Sequence, residues 1–187
     1  SKLNIINIKK DLQRFPKPWI LIGFSSTDQS RTWKKDYFIQ LIQELDSYKK
    51  YTFFVIGAPS EYHNANKIIK FVKLKKGTIK NFCKTIEKTM ALMYEAEEYI
   101  GNDAGNAHLA LACKLKTYVL HGGSPPYFHT VYKNYYPKNF LNNLNPILPP
   151  DGLIRNPNLR TIDTVPREKG MDLITPKKVF QTIIKNN

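Results

Sequence analysis

The sequence predicts an α/β fold in which a parallel sheet is covered by helices on both faces. Three observations predict it. Short apolar runs, among them Trp19–Phe24, Tyr51–Ile56 and Thr117–Leu120, each stop at small or polar residues. Stretches with apolar residues at helical spacing separate these runs, and strands alternating with helices of ten to fifteen residues imply βαβ units. No internal repeat and no stretch of eighteen apolar residues interrupts the alternation, so solenoid and membrane-spanning readings fall away.

Taken in order, Trp19-Ile20-Leu21-Ile22-Gly23-Phe24 is a first strand ending in Ser25-Ser26-Thr27. Tyr37, Phe38, Leu41, Ile42 and Leu45 then form the stripe of an amphipathic helix. Tyr51–Ile56 reads as a buried strand stopped by Gly57-Ala58-Pro59, and a helix follows from Glu61 to about Phe71. Ile86, Met90 and Met93 mark a third helix, closing near Ala96. Glu98-Tyr99-Ile100-Gly101 is a short strand running into Asn102-Asp103-Ala104-Gly105, and the small residues from Ala104 to Cys113 make a closely packing helix. Thr117–His121 is the last strand of this series, ended by Gly122-Gly123. From Ser124 to Pro166 repeated prolines break the pattern, and an extended segment wrapping over the domain edge is expected. Thr175-Pro176 supplies an N-cap and a first-turn proline for a final helix with Val179, Phe180, Ile183 and Ile184 on its face. The organisation read from this is a linker over residues 1–18, a Rossmann-like core over 19–125, and a wrapping segment with a terminal helix over 126–187 of the same domain.

Composition narrows the classes. The chain has 187 residues, 42% hydrophobic and 24% charged, which is ordinary for one globular domain and excludes collagen-like or wholly disordered readings. Two cysteines, Cys83 and Cys113, make neither a disulfide framework nor a CxxC zinc pair. A reducing compartment is the default. The net charge of +14 invites a nucleic-acid reading, yet the excess is spread along the chain. Its one concentration, Lys67 to Lys88, holds eight lysines against Glu87 alone, with only Phe71 and Phe82 as aromatics. That is too few rings for a base-stacking platform, which favours a solvated lysine face, then attraction to an anionic lipid surface, with nucleic acid third.

In parallel α/β sheets, ligands sit at the carboxyl ends of the strands. Ser25–Thr27, Gly57–Ser60, Asn102–Gly105 and Gly122–Ser124 are therefore expected to line one rim. Asn102-Asp103-Ala104-Gly105-Asn106-Ala107-His108 leaves a strand and opens a helix, whose N–H groups and dipole suit a phosphate. Gly105 lets a ligand approach the backbone. Asp103 fits the N-cap position, and His108, a turn further on, faces the same site or serves the structure alone. In Ser25-Ser26-Thr27-Asp28-Gln29-Ser30-Arg31-Thr32-Trp33, hydroxyls and a guanidinium suit diphosphate oxygens, the alternative being a polar turn with Trp33 anchored in the core. There is no Walker lysine, GxGxxG or GxSxG pattern, and His108, His121 and His129 show no metal-ligand spacing.

Together, these segments resemble the carboxy-terminal half of glycosyltransferase family 9, the heptosyltransferases of bacterial lipopolysaccharide core assembly. The family's Asp-(Ser/Thr)-Gly-x-x-His motif is matched by Asp103-Ala104-Gly105-Asn106-Ala107-His108, and its following strand and Gly-rich turn by Tyr118-Val119-Leu120 and Gly122-Gly123-Ser124-Pro125. Ser26-Thr27 followed by Arg31-Thr32-Trp33 matches its first strand end, where Lys-x-Trp is usual. Gly57-Ala58-Pro59-Ser60-Glu61 matches the second strand end, Thr85 the start of the helix before the motif strand, and Met171-Asp172-Leu173-Ile174 the family's Met-x-x-Ile segment.

The resemblance implies one half of a GT-B enzyme, an inverting, metal-independent glycosyltransferase whose substrate is a nucleotide-sugar such as ADP-heptose, with no cofactor. It implies that Ser26, Thr27 and Arg31 hold the diphosphate, and that Asp103, Ala104 and Gly105 meet the donor with His108 beside them. Glu61 would bond the ribose, and the region of Thr85 would meet the base. Arg31 would stabilise the leaving diphosphate. The implied setting is cytoplasmic, beside an anionic inner membrane, with no nucleic acid as partner. Two departures stand out. Ala104 replaces Ser/Thr, removing one hydroxyl bond. The family's amino-terminal acceptor domain with its general base has no counterpart in residues 1–18, so the expected partner is that domain on a longer or separate chain. A non-catalytic nucleotide-binding module and a basic nucleic-acid-binding protein are the alternative readings.

Overall fold

The computed structural model describes residues 10–122, 142–150 and 170–187. Within them lie six strands: β1 (Trp19–Gly23), β2 (Thr52–Gly57), β3 (Thr78–Cys83), β4 (Glu98–Asn102), β5 (Lys116–Leu120) and β6 (Leu144–Ile147). All pair in parallel, in the order β3-β2-β1-β4-β5-β6. The helices are α1 (Lys35–Tyr48), α2 (Tyr62–Ile69), α3 (Ile86–Met93), α4 (Gly105–Ala112) and α5 (Pro176–Lys185). This is the doubly wound, Rossmann-like three-layer arrangement that the alternation predicts. The strand order reverses between β1 and β4, and a crevice opens there at the carboxyl ends of the strands.

The pleat of β1 sorts its side chains to two cores. Ile20 and Ile22 pack with Phe38, Leu41, Ile42 and Leu45 of α1 and with Val179 and Ile183 of α5. Trp19 and Leu21 pack on the opposite face with Leu92 and Met93 of α3 and Ala107 and Ala110 of α4. β2 divides likewise, Phe53 and Val55 to one side and Phe54 and Ile56 to the other. Fully buried aliphatic side chains of this kind each stabilise the fold by about 1.5–3 kcal/mol. Leu12 is buried in the second cluster, and Phe15 packs edge-on against Phe54. The alanines of α4 let it lie close to the sheet, as its small-residue composition predicts.

Two strands extend the pattern read from sequence. β3 is the outermost strand on its side, and its residues alternate between exposed and half-buried. Thr78 and Lys80 are exposed, and Asn81 on the other face donates to the Tyr62 carbonyl and the Asn66 side chain of α2, so β3 lacks the continuous apolar run that betrays a buried strand. β6 closes the other edge and carries Pro146, which an edge position tolerates. It corrects part of the expected wrapping segment, since Leu144–Ile147 joins the sheet beside β5. The remainder of that segment, and Gly123 and Ser124 of the expected rim, lie outside the described residues.

The carboxy-terminal stretch docks as its cap signals predict. Thr175 accepts the Lys178 N–H at 3.3 Å and Pro176 opens α5. Ahead of it, Gly170 and Gly122 approach so closely that a Cβ on Gly170 would lie 1.7 Å from the Gly122 oxygen. Only glycine permits that crossing.

Candidate functional site

The loop after β1 is built around Asn102, the last residue of β4. Its buried Oδ1 accepts the Trp33 N–H at 3.0 Å, and its Nδ2 donates to the Phe24 carbonyl at 2.8 Å. One side chain thus ties both ends of the Phe24–Trp33 loop to the switch point. Trp33 is itself 1% exposed, and its Nε1 donates to the Ile174 carbonyl at 2.7 Å. Inside the loop, Asp28 caps a single 3-10 turn, Gln29–Arg31, accepting from Ser30 N at 2.9 Å and from Ser30 Oγ at 2.7 Å. The Ser26 hydroxyl accepts from Asp28 N at 3.2 Å.

Arg31 leaves this turn between two carboxylates. Its Nε lies 3.4 Å from Asp28 Oδ2 and its Nη1 3.7 Å from Asp103 Oδ2. Asp103 is buried, and the same oxygen stands 3.9 Å from Nδ1 of the buried His121. The expectation that Asp103 caps α4 is corrected here. The N-cap is Ala104, with φ −150° and ψ 175° and no side-chain cap. β4 runs through Asn102 and the chain turns one residue later than the motif indicated, so the Asp103 carboxylate reaches Arg31 and His121 instead.

A cleft of about 700 Å³ opens over this crevice, and four strand ends supply its walls. Ser26, Thr27 and Arg31 come from beyond β1, Ser60 and Glu61 from beyond β2, Lys84 and Ile86 from beyond β3, and Ala104, Gly105 and His108 from α4. Of the residues singled out from sequence, Ser26, Thr27, Arg31, Glu61, Ala104, Gly105 and His108 meet in this one cleft. Asp103 lies behind the wall, against Arg31. Thr85 does not line it; its carbonyl is engaged by Thr89 N and Oγ1, both at 3.0 Å, and its neighbours Lys84 and Ile86 face the cleft instead. Lys84 is a cleft residue that sequence reasoning passed over, and Asn102, expected on the rim, instead anchors the loop after β1. Lys84 was submerged in the lysine run because β3, whose carboxyl end places it on the rim, went unread.

Electrostatically the cleft suits an anion. The first N–H groups of α4 have no intrahelical acceptor, and a Cβ built on Gly105 meets nothing within 4 Å, so the helix end is open to a ligand. Arg31 and Lys84 add positive charge, and the Ser26 and Thr27 hydroxyls add donors. Glu61 spends one carboxylate oxygen on the Ala58 N–H at 2.7 Å. The Cys83 thiol is pushed up to about 11, chiefly by burial, next by the Glu61 carboxylate, with Lys84 opposing. Among the described residues, no group of three His, Cys, Asp or Glu side chains comes together to hold a metal ion.

The class the fold defines is a doubly wound α/β domain with a cleft suited to an anion at its switch point. The pattern of glycosyltransferase family 9 (heptosyltransferase) matches residues 4–146, and the chain belongs to that family. No curated protein matches the chain in sequence. Among solved structures it is similar to the ADP-heptose LPS heptosyltransferase II of E. coli, with a TM-score of 0.71 and 14% identity over 99% of this chain and 51% of that one. It is similar to E. coli heptosyltransferase WaaC, solved with ADP-2-deoxy-2-fluoro heptose, with a TM-score of 0.62 and 17% identity over 96% of this chain and 48% of that one. The iron-containing dodecameric glycosyltransferase TibC of enterotoxigenic E. coli gives a TM-score of 0.58 and 18% identity over 92% and 46%. At these identities the likeness is one of fold. The chain spans about half the length of these structures.

Proposed function

We propose that this domain binds the nucleotide-diphosphate-sugar donor of an inverting, heptosyltransferase-like glycosyltransferase of lipopolysaccharide or other surface-glycan assembly, with ADP-heptose as the donor type. The observation that carries the reading is the convergence of four strand ends on one cleft holding Ser26, Thr27, Arg31, Glu61 and the amino end of α4. In this reading the two hydroxyls, Arg31 and the α4 N–H groups hold the diphosphate. The second Glu61 oxygen bonds the ribose, and the surface at Lys84 and Ile86 receives the base.

As the bond from the anomeric carbon to the diphosphate oxygen breaks, negative charge grows on the leaving group. A fixed cation there lowers the barrier because it needs no reorganisation during reaction. Arg31 fills that role, and Asp28 and Asp103 hold it in orientation beforehand. We assign the acceptor and the general base that activates it to a second domain facing the cleft. We propose that the enzyme works in the cytoplasm beside an anionic inner-membrane surface.

Ala104 favours one other reading, a nucleotide-binding module without transfer activity, because it removes a donor-directed hydroxyl at the motif. Titration of the folded chain with ADP, UDP and GDP tests the proposal. Saturable binding of one nucleotide supports it, and binding of none contradicts it. Adding the facing domain with ADP-heptose and acceptor then separates a transferase from a silent module.

A further inference from the structure

We infer that the edge of the domain formed by β3 and the turn after α2 is a docking face for an anionic lipid bilayer, with Phe71 as its apolar wedge. Between residues 62 and 86 the chain carries seven lysines, no arginine and no acid. Six of them, Lys67, Lys70, Lys73, Lys75, Lys76 and Lys80, are exposed; the first five run through α2 and the turn after it, and Lys80 lies on the opposite face of the sheet, over the Phe15 ring. Phe71 sits among them, 62% exposed, with the Lys70 ammonium 6.0 Å from its ring centre.

The turn is rigid. Asp46 of α1 is 1% exposed and accepts the backbone N–H groups of Lys75, Lys76 and Gly77, at 2.6 Å for Lys75 and Gly77 and 3.1 Å for Lys76. Gln43 Oε1 accepts the Lys73 N–H at 2.9 Å. The Asp46 carboxylate of α1 therefore faces main-chain amides of the turn. Some of the lysines are committed: the Lys76 ammonium reaches the Ser47 carbonyl, Lys67 reaches Asn64, and Lys80 lies over the Phe15 ring. Lys70, Lys73 and Lys75 form no ion pair among the described residues and project from a pinned loop.

The chemistry favours lipid over nucleic acid. Lysines without arginine act as point charges and offer no bidentate forks for phosphate or base edges. Phe71 is the one ring between Lys67 and Lys80, a wedge and not a stacking platform. Basic residues beside an anionic bilayer are each worth about fivefold in partitioning, and an inserted aromatic adds to this. β3 ends at Cys83, and Lys84 and Ile86 just beyond it line the cleft, so this face and the cleft share a strand. The inference deepens the membrane-side placement proposed above and does not depend on which nucleotide fills the cleft.

Vesicle flotation of the whole chain tests it, with phosphatidylcholine alone and phosphatidylcholine mixed with phosphatidylglycerol. Binding is expected only to the mixed vesicles. It should fall at least tenfold in Lys70→Glu/Lys73→Glu/Lys75→Glu and a few-fold in Phe71→Ala, and hold in the control Lys177→Glu/Lys185→Glu. Nucleotide titration of the same variants keeps the two readings apart, since none of these residues touches the cleft. The inference is overturned by binding independent of phosphatidylglycerol, by an equal loss in the control, or by an oligonucleotide that binds the face more tightly than the vesicles do.

Discussion

Asn102 accepts the Trp33 backbone N–H at 3.0 Å from the end of the neighbouring strand, sixty-nine residues away in sequence. Its amide donates to the Phe24 carbonyl at 2.8 Å as well. The loop carrying Ser26, Thr27 and Arg31 is thereby fixed to β4, and the two halves of the proposed donor site become one rigid unit.

Asn102→Ala leaves two buried backbone groups without partners. The expected loss is about 2–4 kcal/mol of stability, read from urea unfolding with an unchanged slope. Nucleotide affinity should fall by about tenfold as well, because the Arg31 turn loses its anchor. Full stability in this variant would mean that the loop is held elsewhere.

Gly105→Ala separates binding from folding. The first position of α4 tolerates a methyl sterically, since a Cβ there meets nothing within 4 Å. Alanine should leave stability unchanged or raise it by up to about 1 kcal/mol. The methyl projects where a diphosphate would sit, and nucleotide affinity should fall by about tenfold. A variant that binds as well as the parent would place the ligand away from α4.

Asp46→Ala removes the acceptor for the Lys75, Lys76 and Gly77 amides. A cost of about 3 kcal/mol in thermal or urea unfolding is expected, with nucleotide binding unaffected in the chain that remains folded.

Stability should decline as pH rises above about 9. Burial, the first cause in each case, raises the Cys83 thiol to about 11 and also raises the Tyr51, Tyr99 and Tyr118 hydroxyls. For an acid whose folded pKa is raised, the folded chain keeps the proton while the unfolded chain loses it. Stability is then full below the unfolded value and falls above it. Urea midpoints between pH 8 and 11 check this, and native Cys83 should react with a thiol reagent at pH 8 about 100-fold more slowly than in the unfolded chain.

Much of this architecture was legible in the residues. The runs at Trp19–Phe24 and Tyr51–Ile56 announced β1 and β2 because strands buried on both faces must be apolar throughout. Thr175-Pro176 announced α5 through its cap. β3 and β6 escaped because edge strands bury one face or less, so lysine, asparagine and proline are admitted and the pattern fades. In the site, Ser25, Ser26, Thr27, Gly57, Ala58, Ser60, Ala104 and Gly105, which the rim rule named, line one cleft, and Arg31, Glu61 and His108 line it beside them. Two features could not be read from spacing. Whether Asp103 or Ala104 caps α4 depends on where β4 ends, a shift of one residue that redirects a carboxylate from helix amides to Arg31. The Asn102–Trp33 bond joins residues that only the parallel pairing of β1 with β4 brings side by side.

The most direct test of the donor-site account is calorimetric titration of the folded chain with ADP, AMP and adenosine, alongside Arg31→Ala. The account predicts that affinity rises with each phosphate and that Arg31→Ala abolishes the gain from the second, a loss of at least tenfold for ADP with little change for adenosine. Equal affinities for ADP and adenosine, or an Arg31→Ala chain that binds ADP like the parent, would contradict it.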